Sequence, residues 1–272
     1  MRQSRQFSRW LGGLAVAAGV LVSGSALAAD YKIVAEPIYP PDKAQEVYKT
    51  LIAYLNKTTG EKFTLVTPRN YHFYWRDLKQ TDGVDFAIDE AHLGDYRIQR
   101  YKFQPLVHAA EQTSYTLVTN VDLGSKGIEG LVGKKIVSMP APSLGYALLL
   151  TLYPNPIQQP DIESNASSWR DAVEIVFAGE ADAAIIPTWL KDTYPNLTPV
   201  KTSKGFPGTL VSANPAVPEA IRQKVKDAFL KLNADADTQP LLFELGVTKF
   251  VEASAADYAG SELVLKDFYG YQ

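Results

Sequence analysis

Apolar and polar residues along the chain alternate between a strand-like and a helix-like periodicity. Short apolar runs in the first part predict strands at residues 31–35, 63–67 and 84–88. Between the first two runs, apolar residues at helical spacing from Ala44 to Leu55 predict a helix that ends near Gly60. Asn70 is placed to cap a short helix that continues to Lys79. This order of strands and helices predicts right-handed crossovers and a mostly parallel sheet.

The remainder of the chain repeats this pattern. Its apolar runs predict strands at 115–119, 135–138, 181–186, 197–201 and 209–213. Helical spacing predicts helices at 143–153, 169–178, 218–232, 239–245 and 258–268. We find no internal repeat, charge block or low-complexity segment in the sequence. The pattern therefore predicts two α/β lobes of ordinary domain size.

The first 28 residues have the pattern of a secretory signal peptide. Three arginines and no acidic residue precede an apolar run at 10–22, and Ala26 and Ala28 provide a small-x-small cleavage site. The alternative is a short membrane anchor, but the run is shorter than the roughly 20 residues that a spanning helix needs. We expect cleavage after Ala28 and a periplasmic location, without stable membrane insertion afterwards.

The composition of the chain excludes several classes of partner and site. The chain has 27 basic and 30 acidic residues, a formal charge of −3, and loss of the three leader arginines lowers that charge to −6. An acidic mature chain has no basic excess for phosphate backbones, so a nucleic-acid partner is not expected. The chain has no cysteine, which excludes disulfides, thiolate metal sites and a lipid anchor on an N-terminal cysteine.

Motifs for catalysis are missing from the sequence. The three histidines, at positions 72, 92 and 108, lack metal-binding spacing, and there is no nucleophile elbow, phosphate-binding loop or dinucleotide fingerprint. We therefore predict a protein that is not an enzyme, with no catalytic residue, no metal and no cofactor. An enzyme built on the same scaffold remains the alternative from another class.

Five segments, taken in order, resemble one known family. They are YKIVAEPIYPPDKAQEVYKTLIAYLNKTTG at 31–60, DGVDFAI at 82–88, IEGLVGKKIVSMPAPSLGY at 128–146, SSWRDAVEIVFAGEADAAIIP at 167–187 and GFPGTLVSANPAVPEAIRQKVKDAFLKL at 205–232. Together they resemble the phosphate/phosphite/phosphonate-type substrate-binding proteins of ABC importers, which are type II periplasmic binding proteins. The resemblance covers nearly the whole mature chain.

The resemblance implies a two-lobed α/β fold with mostly parallel sheets flanked by helices, and two crossing hinge strands near 115–119 and 207–213. Lobe one would comprise 29–116 plus 208–272, and lobe two 117–207. The implied protein is a monomer that captures a small ligand, a phosphate- or phosphonate-like oxyanion, and delivers it to an ABC permease in the inner membrane. The alternative is a periplasmic sensor subunit of the same fold that signals to a membrane receptor.

The resemblance also indicates an anion site at the start of the helix predicted at 143–153. A Ser-x-Ser-Gly loop is common there in the family, and this chain has Ser143, Leu144 and Gly145, followed by Tyr146. A serine hydroxyl and free N–H groups at a helix start can bind an oxyanion. The alternative is that Ser143 only caps its helix.

Two further positions depart from the family pattern. Asp89 and Glu90 stand where the family often has Gly-Pro, and His92 follows them. Carboxylates there repel an anion, so the functional interpretation is that Glu90 or His92 contacts a cationic or hydrogen-bond-donating ligand group. The alternative is that Asp89 caps a helix and Glu90 lies in its solvated first turn.

Aromatic residues supply the last candidates. Trp169 replaces a polar residue of the family and could form a flat wall for an organic ligand, together with Tyr39, Tyr71 and Tyr146. The alternative for each of them is ordinary packing.

Overall fold

A computed structural model of the protein describes residues 29–80, 83–120 and 122–271. The predicted signal peptide, residues 1–28, lies outside the described residues. The structure contains two β-sheets, each flanked by helices, as the two-lobed α/β prediction requires. Within the described segments, no helix combines the length and the hydrophobicity that a membrane span needs.

The strands in chain order are β1 (Asp30–Ala35), β2 (Lys62–Val66), β3 (Phe86–Asp89), β4 (Gln104–Ala109), β5 (Tyr115–Thr119), β6 (Lys135–Val137), β7 (Asp161–Glu163), β8 (Ala183–Pro187), β9 (Thr198–Thr202), β10 (Leu210–Ala213) and β11 (Phe250–Glu252). The α-helices are α1 (Pro41–Thr59), α2 (Tyr71–Leu78), α3 (Ala91–Tyr101), α4 (Leu144–Leu152), α5 (Trp169–Phe177), α6 (Thr188–Lys191), α7 (Glu219–Leu230), α8 (Gln239–Glu244) and α9 (Ala255–Tyr258).

Strand order divides the chain into two sheets. The first sheet has the order β11-β4-β10-β3-β1-β2, and the second has the order β7-β6-β8-β5-β9. We refer to each sheet with its flanking helices as the first and the second lobe. Segments 110–114 and 203–209 connect the lobes, and they pair through Thr113 and Phe206, whose N–H groups each donate to the other's carbonyl (2.9 and 2.8 Å).

Both sheets are mixed, which corrects the prediction that they are mostly parallel. In the first sheet β1 is parallel to β2 and β3, but β10 is antiparallel to β3 and β4, and β11 is antiparallel to β4. In the second sheet β6 is parallel to β7 and β8, whereas β5 is antiparallel to β8 and β9. The antiparallel pairs of β5 and β10 arise because these strands follow the connections between the lobes and enter their sheets from the opposite end.

Most predicted elements are present, with boundaries shifted by a few residues. Asn70 caps α2 as expected, because its side chain accepts hydrogen bonds from the N–H groups of His72 (3.0 Å) and Phe73 (3.2 Å). The helix predicted at 258–268 is wrong, since the chain there forms α9 and a 3₁₀ turn at Ser261–Leu265. Gly260 separates them with a φ of 86° that only glycine adopts readily.

Side-chain alternation along the central strands sets the two faces of the first sheet. Ile33 and Ala35 of β1 pack into the core beneath α1, α7 and α8, whereas Val34 faces the opposite core, which continues into the second lobe. In β3, Phe86 packs into the core beneath the helices and Ala87 faces the opposite core. Because strand residues alternate in direction, the residue after β1 points toward the second lobe.

Candidate ligand-binding cleft

A cavity of about 300 Å³ lies between the two lobes. The first lobe contributes Glu36 and Glu90 to its lining, the second lobe contributes Trp169, Thr188 and Trp189, and the connecting segments contribute residues 111–114. The same cavity continues against apolar side chains of α1, α7 and α8. It lies beyond the carboxyl ends of β1 and β3, where α/β sheets bind their ligands.

The ends of two adjacent parallel strands bring two glutamates together. Glu36 follows β1, and Glu90 follows β3 at the N-cap position of α3. The N–H of Glu36 donates to the carbonyl of Ile88 (3.0 Å), and the N–H of Glu90 donates to Oε2 of Glu36 (2.7 Å). Both side chains are buried, with 5% and 9% of their surface exposed. The first-lobe wall of the cleft is therefore acidic.

Two buried tyrosines hold these carboxylates. The hydroxyl of Tyr71 donates to Oε1 of Glu36 (2.8 Å), and that of Tyr115 donates to Oε1 of Glu90 (2.7 Å). Burial, followed by the charges of Glu90 and Asp89, raises the pKa of Glu36 well above its ordinary value. Burial raises the pKa of Glu90 to about 7, against the opposing effect of the Tyr115 hydrogen bond. Ionising either carboxylate without a partner is costly in this environment.

Asp89, which precedes Glu90, belongs to a separate buried ion pair. Its Oδ2 accepts from Nε of Arg97 (2.8 Å), and its Oδ1 accepts from the hydroxyl of Tyr74, which in turn accepts from Nη2 of Arg97 (3.1 Å). Burial alone lowers the pKa of Arg97, but Asp89 and Tyr74 raise it above the ordinary value, so the guanidinium stays charged. The interpretation of Asp89 as a helix cap and of Glu90 as a solvated residue is wrong, because both side chains are buried and neither caps α3.

His92 lies in the first turn of α3 and is fully buried. Its Nε2 is 2.9 Å from the carbonyl oxygen of Pro142 in the second lobe. A carbonyl can only accept, so Nε2 carries the proton and Nδ1 keeps its lone pair. Burial lowers the pKa of His92 to about 4, so the ring is neutral at pH 7. Donor atoms of His92, Glu36 and Glu90 all lie within 4.8 Å of one another, close enough to share a cation.

The start of α4 is closed by its own residues. Ser143 is fully buried; its hydroxyl donates to the carbonyl of Met139 (3.3 Å) and accepts from the N–H of Tyr146 (3.3 Å). Leu144 and Gly145 are also buried. A Cβ added to Gly145 would lie 2.7 Å from Cη2 of Trp169, so glycine is required for this close approach.

The predicted aromatic residues occupy different surroundings. Trp169 is 5% exposed, lines the cavity and packs edge-on against Tyr115, with ring centroids 5.1 Å apart. Tyr39 is half-buried, and its hydroxyl donates to Glu244 on α8. Tyr146 is half-buried and packs against Phe268 (5.9 Å). Of the eight site residues predicted from sequence, the cavity lining includes Glu90 and Trp169. Ligand contact by any of the eight remains a prediction.

Sequence reasoning missed Glu36, Tyr115 and the Ser114–Thr188 pair. Glu36 carried a usable signal, because it is the first residue after an apolar strand and therefore lies at the edge where ligands bind. Ser114 and Thr188, whose hydroxyls are 2.8 Å apart, are 74 residues apart in the chain. Nothing in their local sequence indicates that they meet.

One family model matches most of the chain. It is described as the periplasmic substrate-binding protein of a phosphonate ABC transporter, and it matches residues 33–258. No curated protein has a significantly similar sequence.

Solved structures show the same fold at low sequence identity. PhnD1 from Prochlorococcus marinus, in complex with methylphosphonate, is 14% identical and has a TM-score of 0.71 over 87% of this chain and 97% of that chain. A binding-protein component of a Pseudomonas aeruginosa phosphonate transporter is 14% identical, with a TM-score of 0.69 over 85% and 83%. XAC2383 from Xanthomonas citri, bound to ATP, is 14% identical, with a TM-score of 0.66 over 86% and 98%.

Proposed function

Because the chain belongs to the family of periplasmic substrate-binding proteins of phosphonate ABC transporters, we propose that its interlobe cleft captures a phosphonate- or phosphate-like oxyanion for delivery to a permease. Family membership confirms the prediction of a solute-binding protein with the two-lobed type II fold. It does not favour the sensing alternative, and it identifies a binding protein rather than a family of enzymes.

The cavity between the lobes is the observation that carries this proposal, because it offers neutral donors from the connecting segments and the second lobe. Ser114 and Thr188 of the lining carry hydroxyls, which bond to each other (2.8 Å), and Trp169 and Trp189 of the lining carry indole N–H groups. Such local donors have to provide the affinity for an oxyanion, because a mature protein without the three leader arginines has a formal charge of −6 and does not attract anions over long range.

Closure of the two lobes is the working step. The proposed lobes, 29–116 plus 208–272 and 117–207, are supported by the division into two sheets, although β5 begins at Tyr115, just before the proposed boundary. Arg170 of α5 and Glu244 of α8 form an ion pair across the lobes (3.4 Å). A ligand that contacts both lobes favours the closed state, which the permease would recognise.

Export and assembly complete the proposal. Residues 1–28 would direct the chain to the periplasm and be cleaved, which leaves a more acidic mature protein. We expect this protein to act as a monomer and to bind neither nucleic acid nor the membrane.

The proposal is tested by titrating the purified protein with methylphosphonate, phosphate and phosphite and recording the melting temperature and the heat of binding. A ligand at 100 times its Kd stabilises the native state by about 2.7 kcal/mol. Replacing Thr188 with Ala should weaken oxyanion binding by about 1.5–3 kcal/mol, because a hydrogen bond from a half-buried hydroxyl to a charged group is lost. Thr58→Ala, at an exposed position of α1, is the control.

The proposal fails if no oxyanion raises the melting temperature and an aromatic or cationic compound does. Chemical conversion of a bound candidate by the purified protein would instead support the enzyme alternative.

A further inference from the structure

On the first-lobe side of the cleft lie three donor side chains that the capture of an oxyanion does not explain: Glu36 and Glu90 line the cavity, and His92 is buried next to them. Glu36, Glu90 and His92 are all buried, and a donor atom from each lies within 4.8 Å of the others. Glu36 follows β1, whereas Glu90 and His92 belong to the first turn of α3. All three residues thus belong to the first lobe, and the second lobe orients two of them through Tyr115 and Pro142.

Two of these side chains have buried atoms without a partner. Among the described residues, Oε2 of Glu90 and Nδ1 of His92 have no hydrogen-bond partner. A buried polar atom without a partner costs about 1–3 kcal/mol, so a group that satisfies both atoms at once is favoured. Nδ1 of His92 is an acceptor because the ring proton lies on Nε2, and Oε2 of Glu90 is an acceptor whenever that carboxyl group is ionised, which a bound cation favours.

Hydrogen bonds to neighbouring groups orient the three side chains of the cluster. The hydroxyls of Tyr71 and Tyr115 donate to Glu36 and Glu90, the N–H of Glu90 donates to Glu36, and His92 donates to Pro142. Metal-binding imidazoles and carboxylates are usually oriented by such outer hydrogen bonds. In the described structure Oε2 of Glu90 and Nδ1 of His92 stay without a partner, whereas each oxygen of Glu36 accepts one hydrogen bond and keeps a second lone pair for a cation. The cluster therefore has the organisation of a ligand set.

The cluster also lacks a counter-charge from the protein. In the part of the chain that the structure describes, no lysine or arginine forms an ion pair with Glu36 or Glu90. Arg97, the buried guanidinium nearest in sequence, is committed to Asp89. A divalent cation balances two carboxylates without a net charge in the protein interior.

We propose that Glu36, Glu90 and His92 bind a divalent transition-metal cation of the Zn²⁺ class. A mixed imidazole and carboxylate set suits Zn²⁺ and its neighbours better than Mg²⁺ or Ca²⁺, which prefer oxygen ligands alone. Metal–ligand distances of about 2.0–2.2 Å require the three donors to draw closer together on binding. Three protein ligands leave a coordination position open toward the cavity that Glu36 and Glu90 line.

The open position gives the cation a role in ligand capture. A cation between two carboxylates and an incoming oxyanion converts a repulsive wall into an attractive one, so oxyanion binding should depend on the metal. This second part rests on the proposed function, whereas the metal site itself does not.

The metal site is tested on the purified protein after removal of metals with a chelator. Calorimetric titration with Zn²⁺ should show one equivalent bound, and Mg²⁺ at the same concentration should bind far more weakly. Glu90→Gln and His92→Ala should each weaken Zn²⁺ binding by more than about 10-fold. His72→Ala, which removes an exposed histidine, is the control and should leave binding unchanged.

A crystal of the unmodified protein soaked in Zn²⁺ keeps the test valid if a variant fails to fold. Anomalous scattering should place the metal among Glu36, Glu90 and His92. The metal site is overturned by a metal elsewhere, by no binding, by equal binding in both variants, or by an ammonium compound that stabilises the metal-free protein when Zn²⁺ does not.

Methylphosphonate titrated into the metal-loaded and the metal-free protein separates the two proposals. Binding that requires the metal supports the bridging role. Equal binding in both forms overturns that role but leaves the proposed function intact. Zn²⁺ binding without any oxyanion binding supports the metal site and overturns the proposed ligand class.

Discussion

The two walls of the cleft differ in whether their polar atoms already have partners. On the first-lobe side, Glu90 of the cavity lining and the adjacent His92 each keep a buried atom without a partner in the described structure. On the second-lobe wall, the hydroxyl of Thr188 accepts from that of Ser114 (2.8 Å). Ser143, in the second lobe but outside the cavity lining, uses its hydroxyl both as a donor to Met139 and as an acceptor from Tyr146. Satisfied polar groups need no ligand to explain them, whereas unsatisfied buried ones are rare and call for an explanation. The buried atoms without a partner on the acidic side of the cleft are therefore the ones that need an explanation.

The same comparison separates residues that a family pattern highlights from residues that carry unmet chemistry. Ser143 lies at the position where the resemblance indicated an anion cradle, yet its side chain is fully used within the protein. Glu90 lies where the family often has Gly-Pro, yet it lines the cavity with a free oxygen. We therefore expect substitutions in the acidic wall to have the larger effects.

Removing the arginine behind the acidic wall should have the largest effect. Arg97→Met keeps the apolar stem but leaves Asp89 buried without a counter-charge, because their ion pair is almost fully buried. Breaking a buried pair from one side costs about 3–5 kcal/mol of unfolding free energy, which denaturant unfolding measures. Arg76→Met removes an exposed partner of Asp77 and should cost less than about 1 kcal/mol. Similar losses in both variants would contradict this account.

A second substitution, Glu90→Gln, tests through the pH dependence of the unfolding free energy whether burial raises the pKa of Glu90. The pKa of Glu90 is about 7 in the folded protein against an ordinary 4.5, so the folded state holds a proton that the unfolded state has already released. Its stabilising contribution is therefore complete below about pH 4.5 and is lost as the pH rises through 7. With metals chelated, Glu90→Gln should reduce the fall in stability between pH 5 and pH 8 by up to about 3 kcal/mol.

Other titratable groups near Glu90 also change the stability with pH, so the unmodified protein and Glu90→Gln must be compared at each pH. Glu36, His92, Tyr71 and Tyr115 interact with Glu90. The raised pKa of Glu36 produces a fall in stability of the same sign, and the variant retains the part of it that burial causes. His92 acts in the opposite direction, because its pKa is lowered to about 4 and stability rises as the pH increases through its unfolded value. Glu174→Gln, at an exposed position of α5, is the control. An unchanged pH profile in Glu90→Gln would show that Glu90 ionises normally in the folded state.

Local pattern was sufficient for most elements and failed where buried polar residues or a proline interrupt the apolar spacing. Strand β5 was predicted at its observed bounds, Tyr115–Thr119, although all of its residues are buried, and the cap at Asn70 was predicted correctly. Helix α3 was missed because the buried polar residues His92, Asp95 and Arg97 interrupt its apolar spacing. Strand β4 was missed because Pro105 interrupts its short apolar run.

The site was harder to predict than the fold because its members are distant in sequence. Glu36 and Glu90 are 54 residues apart and meet only because β1 and β3 are adjacent parallel strands. A search for closely spaced metal ligands cannot find such a cluster, and the sequence therefore predicted no metal. The sequence showed that Glu90 and His92 depart from the family pattern, but it did not show which distant residues lie beside them.

Replacing Ser143 with Ala should have the smallest effect, and it tests a polar group of the second lobe that already has partners. Loss of the helix cap on α4 should cost about 1 kcal/mol of unfolding free energy, because the N–H of Tyr146 loses its acceptor. Ser168→Ala is the matched control, since Ser168 caps α5 through the N–H of Asp171 (3.1 Å) and should cost a similar amount.

Oxyanion affinity then decides between the two interpretations of Ser143. If its hydroxyl only caps α4, both serine variants should bind methylphosphonate with the affinity of the unmodified protein, measured by calorimetry. A loss of affinity by about 1–3 kcal/mol in Ser143→Ala alone would mean that the hydroxyl leaves Met139 and turns to the ligand on binding. The second lobe would then also contribute a polar group to binding. The contrast between the two lobes would describe the protein before it binds a ligand rather than the way in which it recognises one.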